Sequence, residues 1–148
     1  MTVEDLLARE EIRRTLAGYN LAGDRLRVDE VVNCFTADGV LEIPGARFSG
    51  RERIREFMSG RGPSTEGAAR PRPTFVRHHI TTCGIELTGP DTATARTYYA
   101  VYTDVGPDHC GYYVDAFRKE DGRWLIAERK ARLDWRSPSS LMVAAPSA

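Results

Sequence analysis

The chain changes its pattern once, near residue 74. The first 60 residues are mainly helical in spacing. From residue 74 onward come four long segments rich in β-branched and aromatic residues: TFVRHHITTCGIEL, TATARTYYAVYTDV, CGYYVDAFRKE and RWLIAERKARLDW. TGPD, VGPD and EDG separate them as hairpin-type turns. Helices followed by a meander of long strands predict an α+β domain, with the helices packed on one face of a strongly curved antiparallel sheet. Such a sheet folded round a helix makes a cone with an open end. An apolar cone with a few convergent polar groups is the default place for a small ligand.

Thr2 followed by Asp5 predicts a helix N-terminus. Ile12, Leu16 and Tyr19 then share one helical face, and Gly23 is the expected stop, which puts Asp24 just past the end. A second helix fits VDEVVNCF (28–35), with Asp29 in its first turn. DGVLEIPG (38–45) reads as turn, short strand and turn. A third helix fits GRERIREFMSG (50–60), with Ile54, Phe57 and Met58 inward. Residues 61–73, RGPSTEGAARPRP, hold three prolines and two glycines. They read as a loop suited to cover the mouth of the cone. Residues 1–135 form one expected domain, and 136–148 a C-terminal tail.

Composition excludes several classes. Acidic and basic residues balance at 21 each, which removes the electrostatic case for nucleic acid or an anionic membrane. No apolar run reaches the length of a membrane span, and MTVEDLLARE is unlike a secretory signal. Cys34, Cys83 and Cys110 are odd in number and form no CxxC, so a reducing cytoplasm is the default and neither a disulfide framework nor a zinc site is expected. There is no Gly-rich phosphate loop and no metal-ligand spacing, so neither a cofactor nor a metal is expected. Three helices cover one face of the sheet. The other face, with residues such as Tyr112 or Trp124, would keep apolar area for a partner, which predicts a homodimer.

Tyr19, Asp24 and His78 are the polar residues that an ordinary helix or strand reading explains least well. Together they can polarise a carbonyl, orient an imidazole and move a proton. Tyr19 continues the apolar face of its helix, so a core role explains it equally well. Asp29 is better placed than Asp24 to start the second helix, which leaves Asp24 free. His78 and His79 are adjacent, and in a strand they point to opposite faces, so at most one enters a cavity. His109 falls beside the VGPD turn and reads as solvated. Asp115 and Arg129 read as a structural ion pair on neighbouring strands.

Taken together, Y-x4-D at 19–24, FTADG at 35–39, RHHITT at 77–82, TATARTY at 92–98, GYYVD at 111–115 and GRWLIAER at 122–129 resemble the SnoaL-like branch of the nuclear transport factor 2-like superfamily. The resemblance runs from about residue 3 to 135 and is closest to the bile-acid dehydratase and scytalone dehydratase groups. It selects His78 over His79. Where bile-acid dehydratases carry a further acid, this chain has Val101. Where scytalone dehydratase has a second histidine, Cys110 falls, with His109 one residue earlier. Where ketosteroid isomerases place their base, it has Ile43.

The resemblance implies a cofactor-independent lyase or isomerase acting on a hydrophobic, polycyclic or polyketide-like small molecule. His78 would be the general base, Asp24 its orienting partner and Tyr19 the donor to the carbonyl oxygen. Tyr99, Val101, Ile43, Arg132 and Trp135 are the expected substrate-binding residues, with Arg132 available to an anionic group. A polyketide cyclase, a non-catalytic binder and an assembly protein fit the same fold.

Overall fold

The computed structural model describes residues 1–60 and 71–145. The first helix, α1 (Val3–Asp24), opens with a full capping box: the Thr2 hydroxyl accepts from the Asp5 amide, and the Asp5 carboxylate accepts from the Thr2 amide. Its buried residues include Ile12, Leu16 and Asn20. The helix does not stop at Gly23. It runs through Asp24 and is ended by Leu26, which takes the left-handed conformation at φ 57°. Asp24 therefore sits in the last turn, where the negative end of the helix dipole opposes a carboxylate. Its presence there is not explained by helix stability.

α2 (Val28–Val32) is shorter than its pattern suggested, and α3 (Arg51–Met58) follows β1 (Phe35–Ile43) and β2 (Ala46–Ser49). β1 starts earlier than the turn read at DGVLEIPG, because Phe35 pairs with Ile126 before a register shift to Val40. The long strands are β3 (Arg77–Leu87), β4 (Thr92–Thr103), β5 (Gly106–Glu120) and β6 (Arg123–Arg136). All six strands form one curved sheet in the order β2-β1-β6-β5-β4-β3. Its neighbouring strands are antiparallel except for the parallel β1–β6 pair.

The helices cover the concave face. Ile12, Leu16, Val31, Val32 and Ile54 pack against Phe35, Leu41, Phe117 and Ile126. Each such side chain contributes roughly 1.5–3 kcal/mol by leaving water. Strict alternation in β4 sends Ala93, Ala95, Thr97, Tyr99 and Val101 inward and Thr94, Arg96 and Tyr98 outward. Trp124, expected on the outer face, is 3% exposed and belongs to this core. Among the described residues, no helix is long and apolar enough to cross a membrane.

The expected loop at 61–73 lies outside the described residues up to position 70, and so does its expected role as a cover. The segment read as a tail is described through Ala145 and folds back onto the start of β5. There the Ser137 amide donates to the Asp108 carbonyl at 2.7 Å.

Candidate active site

Cross-strand register builds the site. His78 on β3 stands opposite Val101 on β4, Val101 opposite His109 on β5, and His109 opposite Arg136 on β6. Directly paired residues share a face, so this row points into the cone. Two strand spacings separate the histidine backbones, roughly 10 Å. His79, one residue on, takes the outer face and packs edge-on to Tyr102 at 4.9 Å.

Asp24 grips His78 twice. One carboxylate oxygen accepts from the His78 amide at 2.9 Å, and the other lies 2.5 Å from ring Nδ1. An ionised Asp24 keeps the proton on Nδ1 and leaves the Nε2 lone pair free. Their side chains are 19% and 9% exposed, so this pair is largely withdrawn from water.

A second pair of the same kind was not anticipated. His109 Nδ1 lies 2.7 Å from Asp108 Oδ1, with the Asp108 side chain fully buried. The misreading came from VGPD. The β4–β5 turn is tight, joining Thr103 to Gly106 through two residues, with Gly106 at φ 84°. Pro107 to His109 therefore already belong to the strand. The left-handed glycine just before them was the signal that could have placed the turn correctly. Burial holds the His109 imidazole below its ordinary range, helped by the nearby His78, while Asp108 pulls the other way.

The Tyr19 ring meets Tyr113 edge-on at 6.3 Å, and Tyr113 stacks on Tyr99 at 4.6 Å. Beneath them Arg129 places its guanidinium 4.3 Å from the Tyr19 ring and 4.0 Å from the Tyr113 ring. Arg129 is fully buried and paired to Asp115 by two hydrogen bonds of 2.8 Å. This pair braces the aromatic wall. Burial raises the Tyr19 phenol above its ordinary value, although Arg129 partly opposes this. Burial also pushes Tyr99 up to about 12. Both phenols stay protonated at neutral pH, and the Tyr99 hydroxyl already donates to the Arg132 carbonyl at 2.8 Å.

The cavity has a volume of about 1000 Å³. Tyr19, Asp24, His78, His109, Tyr99 and Tyr113 face it, with Val31, Leu41, Ile43, Phe57 and Leu133 among its apolar walls and Trp135 at its margin. Two expected substrate contacts are displaced. Val101 is fully buried between the two histidine strands and does not reach the cavity. Arg132 pairs with Tyr112 in register, which turns it to the outer face, where it bonds Glu42 at 2.7 Å. Arg27, Arg72 and Arg136 line the cavity instead. Among the described residues, no three His, Cys, Asp or Glu side chains are grouped to hold a metal ion.

The fold is widely shared. Rv3472 from Mycobacterium tuberculosis, a protein of unknown function, is 30% identical, with a TM-score of 0.75 over 95% of this chain and 79% of that one. A candidate scytalone dehydratase from Novosphingobium aromaticivorans is 20% identical, with a TM-score of 0.79 over 93% and 91%. The hexachlorocyclohexane dehydrochlorinase LinA-type3 from Novosphingobium barchaimii is 14% identical, with a TM-score of 0.76 over 98% and 99%. No curated protein matches the chain. Residues 4–130 match the SnoaL-like domain family, and the chain belongs to that family.

Proposed function

We propose that the protein is a cofactor-independent lyase or isomerase acting on a hydrophobic, polycyclic or polyketide-like carbonyl compound. The observation that carries this reading is the His78–Asp24 pair, 2.5 Å apart at the edge of a large apolar cavity that Tyr19 also faces. His78 Nε2 removes an acidic C–H proton next to the carbonyl, and the electron pair moves onto the carbonyl oxygen. Tyr19 donates to that oxygen as charge develops. Asp24 stabilises the imidazolium that forms. His78 then returns the proton to a β-hydroxyl, the C–O bond breaks and water leaves. Returning the proton to a carbon instead would shift a double bond. Ring closure of the same enolate onto a second carbonyl would make the protein a cyclase.

The two histidines differ in role. Burial favours the neutral form of His109, and with Nδ1 donating to Asp108 its Nε2 acts as an acceptor. It is suited to hold a substrate hydroxyl rather than to protonate a leaving group. Arg136, at the end of the same row, takes the role expected of Arg132 and suits an acidic or oxygen-rich substituent. Two candidate scaffolds of similar fold, a dehydratase and a dehydrochlorinase, carry elimination chemistry in their names, which agrees with this reading.

The test is proton abstraction itself. The protein is incubated in deuterium oxide with a panel of apolar β-hydroxy ketones, and α-hydrogen exchange and enone absorbance are followed. Exchange that disappears in His78→Ala supports the reading. Tight ligand binding with no exchange across the panel would instead make the cone a non-catalytic binding site.

The protein in this reading is a homodimer. Tyr98, Tyr102 and Val114 on the outer face are each more than a third exposed, and Arg96 over the Tyr112 ring borders a shallow hollow of about 360 Å³. Light scattering at micromolar concentration should give twice the 16.5 kDa chain mass.

A further inference from the structure

Asp108 is the most heavily used carboxylate among the described residues, and the mechanism above uses only one of its bonds. Its Oδ1 takes the His109 ring at 2.7 Å and the Ser140 hydroxyl at 2.6 Å. Its Oδ2 takes the Thr103 hydroxyl at 3.0 Å and the Leu141 amide at 2.8 Å. Each oxygen thus holds one donor from the β4–β5 hairpin and one from the segment that follows β6. The same segment runs along the cavity: Met142, Val143 and Ala144 form part of its wall. The Ser140 hydroxyl also accepts from the Val143 amide at 2.9 Å and the Met142 amide at 3.3 Å, so one side chain shapes the turn and anchors it. Ser140 is 7% exposed.

We propose that Asp108 is a positioning residue that couples the seating of residues 137–144 against the cavity to the orientation of the His109 imidazole. A buried carboxylate needs its donors, because an unmet oxygen carries the full cost of lost solvation. Lifting the strap removes one donor from each oxygen at once. Water must then reach Asp108, and the imidazole that shares Oδ1 gains freedom to turn. With the strap seated, Nδ1 carries the proton and Nε2 faces the cavity as an acceptor. A ligand that packs against Met142 and Val143 thereby fixes the imidazole it will use. The inference rests on the proposed function only in taking this cavity as the site.

His109 also faces His78 from β3, the Tyr99 ring from β4 at 6.0 Å and its cross-strand partner Arg136 from β6. His78 and Tyr99 lie on strands that the strap does not hold, whereas Arg136 also donates to the Pro138 carbonyl at 3.4 Å, so a change in His109 reports the strap directly or through Arg136. Lifting it relieves the burial that holds the imidazole down, and leaves Oδ1 to the ring alone. Both effects raise its titration midpoint.

The experiment needs no substrate. The full chain, its Ser140→Ala variant and its Ser140→Thr variant are labelled with ¹³C and ¹⁵N. Ring resonances give the tautomer and midpoint of each histidine, and hydrogen exchange reads the amides of residues 141–143. In Ser140→Ala those amides should exchange at least about tenfold faster. The His109 midpoint should rise by roughly half a pH unit or more, with loss of the single tautomer. His78 should not move, and Ser140→Thr, which keeps the hydroxyl, should restore the native values. A strap that stays protected in Ser140→Ala overturns the latch. A released strap beside an unmoved His109 overturns the coupling. Either result is independent of whether the protein abstracts a proton from any ketone.

Discussion

The Asp24 carboxylate binds the backbone amide and the ring of His78 at the same time, at 2.9 and 2.5 Å. It therefore ties the C-terminal turn of α1 to the first turn-in of β3, and fixes the imidazole to the strand that carries it. An amide in this place keeps both bonds only by turning the imidazole to its other tautomer: its NH₂ group then donates to Nδ1, and the proton sits on Nε2, which can no longer accept one from a substrate.

This gives the first expectation. Asp24→Asn should lower α-proton exchange by roughly two to four orders of magnitude, as should His78→Ala. The double variant should be little worse than His78→Ala alone, since the two residues act as a unit. Asp24→Asn should also cost about 1 kcal/mol of stability, because charge-assisted hydrogen bonds are replaced by neutral ones. Denaturant titration beside the exchange assay separates the two effects.

The second expectation is the control on the same strand. His79 lies on the outer face against Tyr102, so His79→Ala should leave exchange within about threefold of the native rate. A well-folded His79→Ala protein that has lost exchange, beside an active His78→Ala protein, would overturn the site.

How much of this was legible beforehand depends on what each feature rests on. The α1 capping box and the inward set Ile12, Leu16 and Ile54 follow from local pattern, and pattern is printed in the sequence. The order of the long strands followed from their turns. The side of the sheet taken by Arg132 or His109 depends on register, and one displaced residue reverses it. Shifts between Val101 and Tyr102 and between Cys110 and Gly111 are invisible in composition. Reading the turn two residues too late, and so starting the strand at Cys110 instead of Gly106, hid His109. The role of Ser140 was hidden for another reason: its partner Asp108 is 32 residues away, and nothing local signals a contact at that distance.

Gly111 carries the third expectation. A Cβ there would stand 1.9 Å from the Arg132 carbonyl oxygen and 2.8 Å from the Tyr99 hydroxyl, which itself donates to that carbonyl. The first clash is with backbone and cannot be relieved by turning a side chain. Gly111→Ala should destabilise the protein by about 1–3 kcal/mol through forced backbone shifts. It should also move the Tyr99 ring off Tyr113, which a change in tyrosine near-ultraviolet dichroism would report.

The last expectation concerns acid. Burial alone would raise the Asp108 carboxyl, but Ser140, His109, Leu141 and Thr103 together hold it below the ordinary aspartate value. His109 is likewise held below the ordinary histidine value, chiefly by burial. In both cases the open or unfolded form binds more protons than the folded form in the interval between the two values, so stability rises with pH across that interval. On acidification the His109 contribution goes first, as pH falls below about 6.5 towards the lower folded value. The Asp108 contribution persists until pH falls below about 4, and is lost on the way to its own folded value. Melting temperature measured from pH 7 to pH 3 should therefore drop in two stages. In Ser140→Ala the lower stage should shrink, because one of the donors that depresses Asp108 is gone, and the upper stage should shrink with the rise in the His109 midpoint. In His109→Gln the upper stage should vanish. A single acid transition, unchanged by either substitution, would show that neither group is held as the structure holds it.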